Sequence, residues 1–281
     1  MTKSMYVGIS GTARKVKKFY VGVSGTARTV KKAYVGVNGV ARLFYTSDFW
    51  LPGGLAASAC LAAYQFKGAA SASAARTDLT GHGYTLTESN SPTWTSANGY
   101  YFGSGAYLGN STLNALKTVK TIVIRYSGLS TATAARLPLS LIKGQTTAGT
   151  SNPLLWARPN FRIIYNTAET MISSSYPCIV TALNTSTNKL TYKLGSAKAP
   201  ATGVLACDAS NIYLNGTAQT LTSHTVNCDS SITTESNIHT QYSYTLASNS
   251  SYPYYVIAAA FYNVTLSATQ HKEVADAMLS I

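Results

Sequence analysis

Acidic residues are scarce in this chain, and their scarcity limits the chemistry that it can carry out. Only nine of the 281 residues are Asp or Glu, against 22 Lys and Arg, and charged residues make up 11% of the sequence. Glycoside hydrolysis needs two carboxylates that flank the scissile bond, and hard-metal sites need several oxygen ligands. Glu88, Glu169, Glu235 and Glu273 have no second acid two or four positions away on a strand. We therefore predict a protein that is not an enzyme, with no cofactor and no metal.

Histidine, cysteine and long apolar runs are also sparse. The four histidines are dispersed and no nucleophile motif frames them. No stretch approaches the ~20 apolar residues of a membrane span, and residues 1–18 lack the apolar core of a signal peptide. We expect a protein made in the cytosol, with no membrane partner. The four cysteines are Cys60, Cys178, Cys207 and Cys228, and they form no CxxC pair. We expect free thiols, and the alternative is a disulfide between Cys207 and Cys228.

A threefold repeat is the most informative feature that the chain does contain. Tyr6–Arg14 returns as Tyr20–Arg28 and again as Tyr34–Arg42, at a spacing of 14 residues. Each copy predicts a β-hairpin: a Tyr-Val-Gly strand, a Ser-Gly or Asn-Gly turn, and a returning strand. A single hairpin is barely stable in water, so the copies must pack on each other, on the rest of the chain or on another protein. Residues 1–45 are therefore predicted to be an attachment or oligomerisation arm, and we expect a homo-oligomer.

Positive charge is concentrated in this arm. Nine basic residues and no acid precede Asp48, whereas the remainder carries 13 basic and nine acidic residues. One interpretation is docking onto an acidic surface, with protein favoured over nucleic acid because the arm has no recognition helix or stacking platform. The other is that the cations solvate exposed strands and discourage unwanted edge pairing. The candidate anchoring residues are Arg14, Lys17, Lys18, Arg28, Lys31, Lys32 and Arg42.

The rest of the chain reads as short strands separated by turns. Thr118–Tyr126 is rich in β-branched residues, and Tyr255–Tyr262 is a second apolar run. One helix is predicted over Ala268–Leu279, with Ser267 as its N-cap. This pattern predicts an all-β fold, an antiparallel β-sandwich with an N-terminal hairpin arm and a short C-terminal helix. The predicted organisation is an arm at 1–45, a linker at 46–57 and a main domain at 58–281.

Residues 58–281 resemble the concanavalin A-like, laminin-G-type jelly roll. The resemblance rests on Ala62–Phe66 followed by Asp78–Tyr84, then on Tyr100–Leu108, and on Ile212–Gly216 with its Tyr-Leu-Asn-Gly turn. The ending, Phe261–Gln270, is similar to the closing strand of that family, although Gln270 stands where an acid is usual. The resemblance implies a jelly-roll fold. Relatives of this type can bind calcium, but the nine acids of this chain form no convincing cluster of oxygen ligands, and Asp208 and Asp229 are the only candidates to name.

The arm resembles a different group of proteins. The tandem Tyr-Val-Gly-Val-Asn-Gly-Val-Ala-Arg repeat is similar to one seen in structural and tail-associated proteins of phages and prophages of Gram-positive bacteria. This resemblance implies a virion protein whose partners are other virion proteins. Two alternatives remain open beside a receptor-binding role. One is a capsid-decorating or head-fibre protein without a specific ligand, and the other is an unrecognised glycan-active enzyme.

Aromatic residues supply the candidate ligand site. Sugar binding uses exposed rings for stacking and amides for hydrogen bonds, and the chain has 20 tyrosines. Several of them cluster between two predicted strands, and a tryptophan stands beside Arg158 in another loop. Cell-surface carbohydrate is therefore a candidate partner. The candidate glycan-binding residues are Trp156, Tyr242, Tyr244, Tyr252 and Tyr254. The alternative is that these rings pack at the rim of the sandwich.

Overall fold

The computed structural model divides the chain into two compact units, Met1–Ala59 and Cys60–Ile281. The residues that the structure describes are 6–9, 12–15, 19–30, 32–37, 40–46, 48–102, 106–110, 119–128, 161–162, 178–184, 189–208, 210–227, 246–247 and 254–281.

The first unit contains three antiparallel hairpins, one for each copy of the repeat. Each hairpin is a separate two-stranded sheet. The strands are β1 (Tyr6–Ile9), β2 (Thr12–Lys15), β3 (Phe19–Val23), β4 (Thr26–Val30), β5 (Lys32–Val37) and β6 (Val40–Thr46). In all three the repeat glycine pairs with the repeat alanine: Gly8 with Ala13, Gly22 with Ala27 and Gly36 with Ala41. The three predicted hairpins are therefore present in the structure, one for each copy of the repeat.

The hairpin register follows from the turn chemistry. Ser24 and Gly25 join β3 to β4 with φ values of 51° and 79°. A two-residue type I′ turn needs positive φ at both positions, and its twist matches that of the flanking strands. The equivalent Asn38-Gly39 turn lies outside the described residues. After the third hairpin, Phe49, Trp50 and Leu51 of the predicted linker are buried.

The second unit is a β-sandwich around an eight-stranded antiparallel sheet. Its strands are β7 (Cys60–Gln65), β9 (Thr93–Thr95), β10 (Gly99–Phe102), β12 (Thr121–Ser127), β16 (Gly203–Cys207), β17 (Ile212–Leu214), β18 (Thr217–Ala218) and β21 (Tyr254–Tyr262). The strand order is β18-β17-β16-β12-β21-β10-β9, and β7 pairs with β21 beside β10.

Two smaller sheets complete the described part of this unit. One has the order β20-β11-β8 and the other β13-β14-β15-β19. Their strands are β8 (Thr87–Ser89), β11 (Tyr107–Gly109), β13 (Phe161–Arg162), β14 (Cys178–Asn184), β15 (Lys189–Gly195), β19 (Leu221–Asn227) and β20 (Leu246–Ala247). Leu108 of β11 lies in the same buried cluster as residues of the large sheet, and Leu221 of β19 packs against it. The sheets therefore share one core, and the predicted all-β fold is confirmed.

Tyrosine dominates that core. Tyr64, Tyr100, Tyr126, Tyr254 and Tyr262 are the largest of the fully buried side chains. A buried phenol needs a hydrogen-bond partner, and several have one within the fold. The Tyr126 hydroxyl donates to the Pro200 carbonyl oxygen at 3.0 Å, and the Tyr64 hydroxyl donates to the carbonyl oxygen of Tyr84. Much of the tyrosine content therefore serves packing.

Among the described residues, two α-helices pack beside the large sheet. The short helix α1 (Ala72–Arg76) begins after Ser71, whose hydroxyl accepts from the Ala74 amide. The final helix α2 (Ala268–Leu279) begins at a capping box formed by Ser267 and Gln270, as the sequence predicts. Its buried residues include the predicted Val274, Ala275 and Met278, and also His271. Neither described helix is long and apolar enough to cross a membrane.

The Asp78–Tyr84 turn shows how one acid organises a loop. The Asp78 carboxylate accepts hydrogen bonds from the amides of Ala63 at 3.1 Å, Thr80 at 3.0 Å and His82 at 3.1 Å. Gly81 and Gly83 both have positive φ, which lets the chain wrap around the carboxylate. The turn is thereby fastened to β7, and Asp78 has a structural role.

Candidate functional site

Most of the predicted glycan-binding residues lie outside the described residues. Trp156, Tyr242, Tyr244 and Tyr252 belong to this group. Tyr254 is described, and its side chain is only 1% exposed. Burial raises the pKa of its phenol above the usual range. A ring in this position packs in the core and does not present a face to solvent for a sugar, so Tyr254 is corrected from a candidate contact to a core residue.

Strand alternation places the neighbouring tyrosine on the opposite face of the sheet. Successive side chains of a strand point to opposite faces, so Tyr255 points away from the core that Tyr254 enters. Tyr255 pairs in register with Tyr101 of β10. Their ring centroids lie 5.2 Å apart with an angle of 51° between the ring planes. Both side chains are half-buried. The outer face of the large sheet therefore carries an aromatic pair.

Small side chains surround this pair. Tyr255 pairs with Ser127 on one side, and Tyr101 pairs with Thr93 on the other. Gly128 follows Ser127, and a Cβ built on it would lie 3.4 Å from Cδ2 of Tyr255. The row thus runs Ser127, Tyr255, Tyr101 and Thr93 across four strands. The two rings are tilted relative to each other and are flanked by side-chain hydroxyls, and the face of an aromatic ring can stack on a sugar.

One cation lies on the same outer face. Arg125 is two residues from Ser127 on β12, so both side chains belong to that face. Its neighbours in register are Ala258 of β21 and Val204 of β16. Arg125 is 9% exposed, and its Nε and Nη1 atoms have no hydrogen-bond partner in the part of the chain that the structure describes. We define the outer-face patch as Arg125, Ser127, Tyr101 and Tyr255.

Sequence reasoning missed Tyr101 and Arg125 as site residues. The signal for Arg125 was present, because a single charge inside the apolar run Thr121–Ser127 is unusual for a buried strand. The signal for Tyr255 was the period-two alternation along β21. Tyr101 could not be found from sequence, because only the pairing of β10 with β21 brings it to Tyr255.

The candidate anchoring residues occupy equivalent places in the arm where they are described. Lys32 begins β5, whereas Lys17, Lys18 and Lys31 lie outside the described residues. Val21 is 49% exposed, which places one side of the second hairpin in solvent. The three arginines pair with the valine of the opposite strand: Arg14 with Val7, Arg28 with Val21 and Arg42 with Val35.

The candidate calcium ligands do not form a site among the described residues. The Asp208 carboxylate accepts from the amides of Ser210 at 2.7 Å and Asn211 at 2.8 Å, which closes the turn before β17. Asp229 lies outside the described residues. No group of three or more His, Cys, Asp or Glu side chains that could hold a metal ion occurs in the described ranges. Asp208 is therefore a turn residue in this fold.

Other ionisable groups are also engaged in structure. Glu88 accepts from the hydroxyl of Tyr100 and lies 3.2 Å from Nε of Arg76. Cys60 and Cys207 are free buried thiols, and burial raises the pKa of both, which keeps them in the unreactive protonated form. This is the state that the sequence predicted for them. Cys228, the alternative partner of Cys207, lies outside the described residues.

Comparison with known proteins gives remote structural likenesses. No protein-family model and no curated protein matches the sequence. The chain is similar to the binding domain of botulinum neurotoxin serotype C1, with a TM-score of 0.48 and 10% identity over 79% of this chain and 52% of that chain. It is also similar to the binding domain of botulinum neurotoxin DC solved with rat synaptotagmin II, with a TM-score of 0.41, 10% identity and coverage of 79% and 52%.

The chain spans about half the length of these solved structures. Likeness of this extent identifies neither a ligand nor a partner for this chain.

Proposed function

We propose that this chain is a non-enzymatic virion protein of a phage or prophage, with an arm that fastens it to the particle and a sandwich that binds host-surface carbohydrate. The observation that carries the binding role is the half-buried Tyr101–Tyr255 pair on the outer face of a rigid sheet. A sheet holds two rings in fixed positions, so little conformational entropy is lost when a sugar stacks on them.

The chemistry of the described acids favours binding over catalysis. Asp78 and Asp208 each organise a turn, Glu88 holds Arg76 and Tyr100, and Asp276 pairs with Lys272. A carboxylate committed to amides or to a cation is poorly placed to act as a general acid or nucleophile. We therefore assign the second unit a recognition role.

The arm supports attachment through repetition. Its three hairpins share one register, and each places an arginine at the same position of the ladder. Two-stranded ribbons leave unpaired edges that accept further strands, from other virion proteins or from further copies of this chain. The arm also carries nine of the 22 basic residues and no acid, so an acidic protein surface on the particle is the expected docking surface.

Capsid decoration without a ligand is the second candidate. It is favoured by the burial of Tyr64, Tyr100, Tyr126, Tyr254 and Tyr262, since packing alone explains a large part of the tyrosine content. Immunogold labelling of intact particles distinguishes the two roles. Label at the tail tip supports receptor binding, and label distributed over the capsid supports decoration.

The carbohydrate role is tested with the full chain on a glycan array. The variant Tyr101→Ala/Tyr255→Ala should lose binding by at least about tenfold, because stacking aromatic pairs contribute on the order of 1 kcal/mol each beyond the area they bury. The control is Tyr84→Ala, which removes a partly buried tyrosine outside the patch. If the wild-type chain binds no glycan, or the double variant binds like the control, the carbohydrate role is wrong.

A further inference from the structure

Arg125 is a charged residue within a strand that is otherwise mostly apolar. It lies in the middle of the large sheet, between Ala258 and Val204 in register, with two guanidinium nitrogens that are buried and have no partner among the described residues. Burial lowers the pKa of Arg125. A guanidinium nevertheless keeps its proton in proteins, so the positive charge persists.

Packing does not explain this residue. An unpaired buried charge is unfavourable, and a well-packed apolar side chain at such a position is often neutral or stabilising in comparison. Orphaned buried polar groups in native folds therefore call for a specific reason, such as a bound ion or ligand. Arginine suits oxyanions in particular, because its planar fork donates two parallel hydrogen bonds to a carboxylate or phosphate.

The position of Arg125 connects it to the aromatic pair. Arg125 and Ser127 share the outer face and are two residues apart, which is about 7 Å along a strand. Ser127 is the direct register partner of Tyr255, whose ring lies 5.2 Å from that of Tyr101. A sugar that stacks on the rings thus lies beside the strand segment that carries Arg125, whose Nε and Nη1 atoms are buried in this structure.

We propose that Arg125 is the oxyanion-recognising residue of the outer-face patch, and that the patch takes a glycan carrying a carboxylate or phosphodiester group. This inference rests on the carbohydrate-binding role proposed above and gives it a ligand class. Tyr101 and Tyr255 stack on the sugar, and Arg125 turns its fork to the anionic substituent. Neutral glycans would use the rings alone.

The test compares three probes with the full chain: an oligogalacturonate, a polymer of sugar units linked by phosphodiesters, and a neutral dextran oligomer of matched length. Binding is measured by calorimetry at physiological salt. At least one anionic probe should bind more tightly than dextran, and the anionic probe that does so identifies the group. Arg125→Met should weaken that binding about ten- to a hundredfold, the range for a lost charged hydrogen bond. Its effect on dextran should be negligible.

Two further variants separate recognition from structure. Arg125→Lys keeps the charge but loses the fork, so its binding should fall between wild type and Arg125→Met. Lys120→Gln removes an exposed cation just before the same strand and should bind like wild type. Melting temperatures complete the test, because Arg125→Met should melt at or above the wild-type temperature if the charge serves binding.

Several results would overturn the inference. If dextran binds as tightly as both anionic probes and Arg125→Met changes nothing, the patch recognises neutral sugar, and only the role of Arg125 fails. If no probe and no array glycan binds, the proposed carbohydrate role fails with it. If Arg125→Met and Arg125→Lys both lower the melting temperature by many degrees, Arg125 is a structural residue.

Discussion

Protonation of His271 should loosen the contact between α2 and the large sheet. His271 is 1% exposed and stacks on Tyr213 of β17, with ring centroids 3.6 Å apart and an interplanar angle of 17°. Neither ring nitrogen has a hydrogen-bond partner among the described residues. Burial lowers the pKa of His271 to about 4, and the negative charge of Asp208 offsets part of that effect. The folded state therefore holds a neutral imidazole.

The direction and size of the pH effect follow from linkage. Above the ordinary pKa of 6.5, the folded and unfolded chains both hold a neutral His271, and this group contributes no pH dependence. Between 6.5 and about 4 the unfolded chain binds the proton and the folded chain does not, so the free energy of unfolding falls as the pH falls. A difference of roughly 2.5 pKa units corresponds to about 3 kcal/mol, which is a large part of the stability of a typical domain.

Urea denaturation of wild type and His271→Phe measures this contribution. Phenylalanine keeps a ring against Tyr213 and cannot take up a proton. Between about pH 7 and about pH 4.5, wild type should lose on the order of 2 to 3 kcal/mol more than the variant. Taking the difference between the two proteins removes the common titration of the carboxylates. Equal losses with unchanged m-values would show that His271 is not held neutral, and the reasoning would be refuted.

Two further perturbations follow from the geometry of the two units. Gly99→Ala should destabilise the fold by about 2 kcal/mol or more, because φ at Gly99 is +83° and a Cβ would lie 2.3 Å from the Val256 carbonyl oxygen. Gly22→Ala is the matched control, since nothing lies within 4 Å of its Cβ position, and equal melting temperatures for the two variants would contradict the argument. In the arm, replacing four lysines by Gln should reduce incorporation of the protein into particles, measured by quantitative immunoblot: Lys17, Lys18, Lys31 and Lys32. Unchanged incorporation would show that these lysines serve only solubility.

Local signals explain why the elements were predictable. The repeat specified its own hairpins, because the Ser24-Gly25 turn has positive φ at both positions and the strands share one pattern. The strand predicted within Thr118–Tyr126 is observed as β12, Thr121–Ser127. The C-terminal helix has the N-cap and the buried face that the sequence predicts. These features depend on neighbouring residues, which a sequence contains in full. The predicted strand at Pro138–Ile142 lies outside the described residues.

The site was less predictable because it depends on which strands are neighbours. The sequence shows a cluster of tyrosines near residue 254, but it does not show toward which face of the sheet each side chain points. Alternation sends Tyr254 inward and Tyr255 outward, and the register shift opposite Arg125 and Tyr126 leaves Ile257 as the extra residue of β21. Tyr101 reaches Tyr255 from a strand about 150 positions earlier in the chain. No local pattern contains such a contact.

Buried polar residues were the other source of error. In the sequence, His271 is one of four dispersed histidines and lies shortly after the helix N-cap. In the structure, its ring stacks on Tyr213 between α2 and the large sheet. Its burial is a consequence of how α2 lies against β12, β16 and β18. The same is true of Arg125, whose position in a strand was predictable and whose lack of a partner was not. Both residues depart from the rule that buried polar groups are paired, which makes them the best places to look for function.

The arm suggests why the repeat is threefold. A lone two-stranded hairpin is marginal in water, so one unit alone would be a poor anchor. Three units of identical register, each with an arginine at the same ladder position, can meet a repeating surface together. In the proposed docking, one bound hairpin would hold the next nearby at a high effective concentration, so that weak contacts combine into strong attachment. The same coupling stabilises the hairpins, because binding to the folded form alone draws the equilibrium toward it. Removing one whole 14-residue unit should therefore weaken attachment by more than a third of its free energy, since the remaining hairpins lose both a contact and a neighbour.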